Sequence, residues 1–502
     1  MYQSVETGFP SSNETNETNY LNCVSSGIRI SLQQMAELGE QRYNTLNPQQ
    51  KQIVDVMFEA VHNSNYTGPR CIYMDGPGGS GKTYVYETLY YKLSSENIKI
   101  CSMAFTGIAA TLLPNGKTVH KTFGLPVPMF QDSSSNIKAQ SLEAQVLREV
   151  EIFIWDEISM APRYALEIVD KTLKNFMNND LPFGGKIIIV GGDLKQLLLI
   201  KVGGTRSEIL SLCVKYSALW KHFIKFTLMT NMRVLPNEIE FSKFLLDVGH
   251  GTLNDQNDCI NLPEHCILPP TANIIESIFG NLIREKKFQE MSKCAILSAR
   301  NVDVDDINKQ ITNLLRKDFE RIYTAIDTVV NNNGELDDLI LPEHLHNLNQ
   351  SSLSPYELRL RKNCTVMLIR NISNNEGLCN GTRLQILDLS NHLIKCKILT
   401  GDKVNEIVFI NGITLYSEKD YSFTFKRRQF PIKLAFAMTI NKAQGQTLKK
   451  TVVDLRKAVF NHGQLYVAMS RVRSWDSIKI YLGNYTQTRK VKNYVYKELF
   501  LE

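Results

Sequence analysis

The chain has 502 residues, with 57 Lys+Arg against 51 Asp+Glu, 43% hydrophobic and 22% charged residues. That length predicts about three domains, and the ordinary apolar fraction predicts packed cores in place of extended disorder. No run of about 18 apolar residues predicts a membrane span, and no basic start followed by an apolar stretch predicts a secretory signal. The ten cysteines stand singly, and Cys259 with His265 and Cys266 fits no zinc spacing, so free thiols in a reducing compartment, nuclear or cytoplasmic, are expected.

The net charge of +6 conceals an asymmetry. Residues 421–502 carry 16 Lys+Arg and 4 Asp+Glu, a balance of +12, against −6 for residues 1–420. Such a distribution suits a polyanionic partner, although a solvated basic face would look the same.

In chain order, residues 1–45 read as a polar tail that includes the duplicated Asn-Glu-Thr at 13–15 and 16–18. Apolar strands are expected at 71–74, 99–104, 150–155 and 186–190, each followed by helix-like sequence. This alternation predicts a parallel α/β sheet over 46–210, with a small insertion near 112–145. A second α/β unit is expected over 211–325 and 432–502, with a strand at 294–298. Between its halves, 326–431 contains β-prone runs at 365–369, 383–389 and 406–410 and reads as a β-rich insertion.

Gly76-Pro77-Gly78-Gly79-Ser80-Gly81-Lys82-Thr83 matches the phosphate-binding loop and lies between an expected strand and an expected helix. Its glycines let backbone N–H groups turn inward onto phosphates, and the helix N-terminus adds positive potential. Lys82 is expected at the β- and γ-phosphates of ATP and Thr83 at Mg²⁺. The strand over 152–155 delivers Asp156, placed to hold Mg²⁺, and Glu157, placed to polarise an attacking water. Gln196, after the strand over 186–190, can reach the γ-phosphate and the water, though alone it would read as an ordinary loop residue.

Nine ordered runs resemble the PIF (petite integration frequency) family of superfamily-one DNA helicases, with the helicase part of Helitron-type transposons most similar. They are LNPQQ (46–50), GPGGSGKT (76–83), AFTGIAA (104–110), WDEISM (155–160), GGDLKQ (191–196), TNMR (230–233), LCNGTRL (378–384), FAMTINKAQGQTL (436–448) and GQLYVAMSRVRS (463–474). The resemblance implies two RecA-like P-loop domains, the second interrupted by the β-rich insertion. It implies an ATP- and Mg²⁺-dependent helicase moving five-prime to three-prime on single-stranded DNA and acting on tailed duplexes; a monomer is expected, though no residue pattern specifies the oligomeric state. Repair, recombination, telomere maintenance or transposon-related replication would be its settings.

It further implies that Gln50 recognises adenine, that Gln196 senses the γ-phosphate, and that Arg233 and Arg471 are arginine fingers. Thr106, His120, Phe123, Thr439, Asn441, Lys442 and Gln444 are implied to lie along DNA, with Phe123 equally suited to the core. Three positions depart from the family pattern: Leu197-Leu198-Leu199-Ile200 replaces a proline-bearing turn, Leu194 replaces Phe, and Asn441 replaces His. Those changes leave open a rival reading, a DNA-binding remnant whose ATPase is decoupled from unwinding. His344 and His346 resemble a nuclease metal pair, but their acidic, Asn-rich setting argues against a metal role.

Overall fold

The computed structural model describes residues 31–199, 201, 203–330, 353–373, 376–401, 403–416, 424–485 and 488–501. The duplicated triplets and the His344/His346 pair lie outside these residues.

The first lobe begins with α1 (Leu32–Thr45) and α2 (Pro48–His62), each opened by a reciprocal capping box, Ser31 with Gln34 and Asn47 with Gln50. There follow β1 (Cys71–Asp75), α3 (Lys82–Ser94), β2 (Ile100–Ala104), α4 (Gly107–Ala110), β3 (Lys117–Thr118), α5 (Val119–Phe123), α6 (Leu142–Glu149), β4 (Ile152–Asp156), α7 (Arg163–Met177), β5 (Ile187–Gly192), α8 (Arg206–Leu212) and β6 (Ile224–Thr227). All six strands are parallel, in the order β3-β2-β4-β5-β1-β6. The central strands β4 and β5 are buried at every residue, as continuous apolar runs between two helical layers should be. β1, β4 and β5 end side by side, which brings the phosphate loop, Asp156 and Asp193 to one edge of the sheet.

The second lobe contains α9 (Ile239–His250), β7 (Cys259–Asn261), α10 (Asn281–Arg284), α11 (Phe288–Met291), β8 (Cys294–Ser298) and α12 (Asn301–Leu314). The chain then builds an antiparallel region: β9 (Glu320–Thr324), β10 (Ile326–Val330), β11 (Glu357–Arg361), β12 (Thr365–Leu368), β13 (Arg383–Leu389), β14 (Leu393–Ile398), β15 (Ile407–Asn411), β16 (Ile413–Tyr416), β17 (Thr424–Gln429) and β18 (Ile432–Leu434). It returns to the second lobe through β19 (Ala437–Thr439), β20 (Lys450–Asp454), α13 (Gln464–Met469), β21 (Ile478–Tyr481) and β22 (Lys490–Lys492). The second-lobe sheet is parallel, β19-β8-β20-β21, and the largest inserted sheet runs β15-β14-β13-β12-β18.

Several elements fall across the borders expected from sequence. Helix α1 lies within the expected tail: its polar composition hides two buried residues, Met35 and Gly39, and an Arg42–Glu87 ion pair of 2.6 Å that seats it on α3. β6 lies within the expected second lobe yet pairs with β1, because its largely exposed Ile-Lys-Phe-Thr is an edge strand without an apolar signature. β9 and β18 pair with β11 and β12, so these two strands join the inserted sheets from outside 326–431. No helix among the described residues is long and apolar enough to cross a membrane.

Candidate functional site

A cavity of about 740 Å³ opens where the lobes meet and reaches into the inserted region. Its walls carry Gly78–Thr83, Thr106, His120, Asp156, Glu157, Gln196, Arg233, Asn441, Lys442, Gln444 and Arg471, so residues expected at ATP and residues expected at DNA share one continuous space.

The phosphate loop is shaped by backbone that few residues tolerate. Gly79 has φ +94°, and a Cβ there would sit 2.4 Å from the Arg233 Cβ, so a side chain would push the second lobe's arginine away. Gly81, in the left-handed region, starts α3 and presents Lys82 at the first helical position. Lys82 Nζ donates to Gly76 O at 2.6 Å, over the mouth of the loop. Gln50 is buried against the same loop: its Nε2 donates to Ser80 O at 3.2 Å while its Oε1 caps α2 by accepting from Asn47 N.

Asp156 ends β4 and accepts from Tyr86 Oη at 3.2 Å. Glu157 follows at φ +54°, a left-handed conformation that costs a non-glycine residue about 1 kcal/mol or more and turns the carboxylate into the cavity. Burial, then the Asp156 charge, raises the Glu157 carboxyl above its usual range, with Lys82, Gln444 and Arg471 opposing. Burial likewise raises Asp156, against the pull of Lys82. A carboxylate raised in this way is better matched to taking a proton near neutral pH.

Two guanidinium groups face the loop from the other side. A Cβ on Gly78 would lie 3.4 Å from each of Arg233 Nη1, Arg471 Nη2 and Gln196 Nε2, so three polar groups converge on one point of the loop. Arg233 Nη1 donates to Ser470 O at 3.0 Å. Arg471 is fully buried and donates only to neutral oxygens: Val467 O, Ala443 O, Gln446 O and Ser470 Oγ. Among the described residues it has no ion-pair partner, and burial followed by the neighbouring Arg233 lowers it to about 9. A buried cation with no carboxylate in direct contact is costly even with Glu157 and Asp193 nearby, and an anionic ligand at Gly78 would offset that cost.

The expected DNA residues divide. Thr106 caps α4 and lines the cavity, as does His120, whose ring lies 4.9 Å from that of Phe105 and is held low in pKa by burial. Lys442 lines the cavity with its ammonium lowered by burial against the Asp305 charge. Asn441 Oδ1 accepts from Gln464 Nε2 at 3.0 Å. Gln444 Nε2 donates to Glu157 Oε2 at 2.9 Å, joining the two sets. Thr439 lines a neighbouring cavity of about 460 Å³ between α12 and the inserted sheet. Phe123 is corrected to a core residue. It is fully buried, its ring 5.5 Å from Phe153, because the Thr118 cap sets α5 with Phe123 on the inner face.

Sequence reasoning missed several groups at this site. Asn371 and Asn380 bring the inserted region to the cavity, Asn380 N donating to Asn371 Oδ1 at 2.8 Å. The signal for Asn380 was present in the LCNGTRL run, which carried no assigned role, whereas Asn371 lies outside every matched run. Asp193 and Tyr466 meet at the loop, from segments 273 residues apart.

A parallel-sheet lobe with a phosphate loop, an acidic pair at the adjacent strand end and arginines supplied by a second α/β lobe define a two-lobed P-loop nucleotide-hydrolase architecture. The family model for PIF1-like helicases matches residues 45–259, and that for the 2B domain of the DNA helicase Pif1 matches 343–389. The chain belongs to the PIF1-like helicase family. It is 27% identical over 435 residues to the ATP-dependent DNA helicase Pif1 of Bdellovibrio bacteriovorus, covering 86% of each chain. It is 25% identical to an uncharacterized protein of Invertebrate iridescent virus 6, over 82% of this chain and 87% of the relative. The fold is similar to the Pif1 helicase from Candida albicans, with a TM-score of 0.63 at 23% identity, covering 91% of this chain and 97% of that one. It is also similar to Bacteroides Pif1 bound to ssDNA, with a TM-score of 0.60 at 23% identity, over 87% and 92%.

Proposed function

We propose that this chain is an ATP-dependent DNA helicase that moves along single-stranded DNA, five-prime to three-prime, and unwinds tailed duplexes. The observation that carries the reading is the hydrogen bond from Gln444 to Glu157. A side chain from the element assigned to the DNA track touches the carboxylate assigned to the attacking water. A strand that draws the Gln444 amide toward its own phosphates changes the setting of Glu157, which ties hydrolysis to DNA binding.

The oxygen donors at the loop suit Mg²⁺: Thr83 and Asp156 both line the cavity, and a hydroxyl with one carboxylate, completed by phosphate oxygens and water, is the usual donor set for that ion. Thr83 and Asp156 would hold Mg²⁺, which when bound would supply positive charge to offset that of the phosphates. Glu157 takes the proton of the attacking water, while Arg233 and Arg471 stabilise charge on the transferring phosphoryl group. Gln50, whose amide is held by Ser80 O and Asn47 N beside Gly81, would read the adenine edge by exchanging one of those bonds for the base.

The altered turn after Gln196 supports the rival reading, a decoupled remnant, only weakly. Leu197 is buried in the core of the second lobe and Leu198 in that of the first, so packing holds the turn where proline would have stiffened it.

The test measures ATPase with and without single-stranded DNA, and unwinding of duplexes bearing a tail of each polarity. ATPase rising with DNA, falling to background in Lys82→Ala, and unwinding confined to five-prime tails are expected. ATPase indifferent to DNA would sink the reading, and binding without unwinding would favour the remnant.

A further inference from the structure

Asp193 sits at the end of β5 with its carboxylate fully buried and surrounded by five donors. Oδ1 accepts from the backbone N of Lys195 at 3.1 Å and pairs with Lys195 Nζ at 3.0 Å. Oδ2 accepts from Gly78 N at 3.1 Å, from Gln196 Nε2 at 3.1 Å and from Tyr466 Oη at 2.9 Å. One oxygen therefore joins the phosphate loop, the glutamine beside it and α13 of the second lobe. Burial pushes the carboxyl up, but the Lys195 and Lys82 charges and the donated hydrogen bonds outweigh it and hold Asp193 below its usual range.

An ionised carboxylate accepts hydrogen bonds and donates none, so only the amide nitrogen of Gln196 can face it. The flip of the Gln196 amide is thereby fixed by chemistry. Its Oε1, buried and without a hydrogen-bond partner, is left as an unsatisfied acceptor, in a residue that lines the cavity. An acceptor in that position suits the O–H of a water poised to attack the γ-phosphate.

We propose that Asp193 is a positioning residue for hydrolysis: it orients Gln196 to accept from the attacking water, and through Tyr466 it makes that orientation depend on the second lobe being docked. Tyr466 is the only part of the arrangement carried by the second lobe. Separation of the lobes removes its hydroxyl and leaves Oδ2 with Gly78 and Gln196 alone. Gly463, one turn before Tyr466, fixes the approach: with φ +72°, a Cβ there would lie 2.5 Å from Lys195 O and 2.7 Å from Gln196 O. The two lobes therefore meet backbone to backbone at the segment that carries Asp193.

The inference rests on the ATPase reading above, and its test separates the two. Steady-state ATPase at saturating DNA is measured for the wild type, Asp193→Asn, Gln196→Ala, Tyr466→Phe and the double variants with Gln196→Ala. Asp193→Asn is expected to lower kcat by about 10²-fold with KM for ATP little changed, in the range seen when one oriented group at a reacting centre is lost. Tyr466→Phe should lower kcat less, by about tenfold, one hydrogen bond to a charged group. Each should add nothing to Gln196→Ala, because both act through that side chain. Effects that multiply with Gln196→Ala, or a raised KM at unchanged kcat, would overturn the proposal. If Asp193→Asn fails to fold because Lys195 is left unpaired, Tyr466→Phe keeps the buried ion pair and decides the question by the same criterion. A wild-type chain without ATPase would sink the parent reading and this inference with it, whereas an active wild type with multiplicative variants sinks this inference alone.

Discussion

The two lobes meet along two seams of opposite character. At the cleft, the contacts include single polar bonds, Tyr466 to Asp193, Gln444 to Glu157 and His462 Nε2 against Leu194 O at 2.8 Å, beside Leu197 buried in the second-lobe core. Behind it, the C-terminal segment leaves β22, passes α9 and buries Leu499 in the first-lobe core with Tyr496 and Phe500 packed beside it. Lys215 Nζ donates to Leu499 O at 3.1 Å, and Arg206 pairs with Glu498 at 2.6 Å. A polar bond at the cleft can be exchanged for one to phosphate or water at a net cost of about 1 kcal/mol. Apolar burial has no such substitute. The first seam is built to be remade during a reaction cycle, and the second to hold while that happens.

Breaking the ligand-facing side of the first seam should have the largest effect. Arg471→Ala is expected to lower ATPase by about 10³-fold or more at saturating ATP and DNA, the range for loss of an arginine finger. Arg471→Lys should restore little, because an ammonium cannot span Val467 O, Gln446 O and a phosphate as the guanidinium fork can. Nucleotide binding, measured by fluorescence, should survive both changes. Near-normal ATPase in Arg471→Ala would show that its buried charge serves the fold and not the phosphate.

The second seam predicts the reverse pattern. Leu499→Ala should cost about 2–4 kcal/mol, as a buried leucine replaced in a core that cannot fully collapse. The readout is a lower urea midpoint, with ATPase retained at denaturant concentrations where the variant is folded. A large loss of ATPase without loss of stability would mean that the strap takes part in the cycle.

How legible these features are in sequence follows from how local their causes are. The phosphate loop is legible because its glycines, lysine and threonine are required within eight contiguous residues. Asp156 and Glu157 are legible because an apolar run of strand length delivers them to the correct end. Phe123 is not, since the five-residue helix α5 is too short to display an apolar face, and the Thr118 cap that seats Val119 and Phe123 inward is common in any loop. Asp193 is hidden for another reason: inside Gly-Gly-Asp-Leu-Lys-Gln it is an ordinary loop acid until Tyr466 is folded onto it. Edge strand β6 and helix α1 lack apolar periodicity because each buries little, so composition assigns them elsewhere. Pairwise chemistry across long separations is what the linear pattern cannot display.

His462 belongs to both seams, and pH should separate them. Its Nε2 meets Leu194 O of the first lobe, its Nδ1 accepts from Tyr496 N at 2.9 Å, and its ring stacks on Tyr496. Burial lowers His462 to about 4, with Asp193 and Glu498 opposing and Arg206 assisting. The folded-state value lies below the unfolded one of about 6.5. The unfolded chain therefore binds the proton first, and stability is undiminished above about pH 6.5 and is lost progressively as pH falls toward 4. Between neutral pH and about pH 5 the loss attributable to this one group is about 2 kcal/mol. Protonation also removes the Nδ1 acceptor for Tyr496 N, so the strap should loosen first: hydrogen exchange over 493–500 should quicken on acidification before exchange in β4 and β5 does. His462→Gln, which keeps an acceptor and does not titrate, should flatten the pH dependence of both stability and strap exchange. An unchanged slope in that variant would place the sensitive group elsewhere.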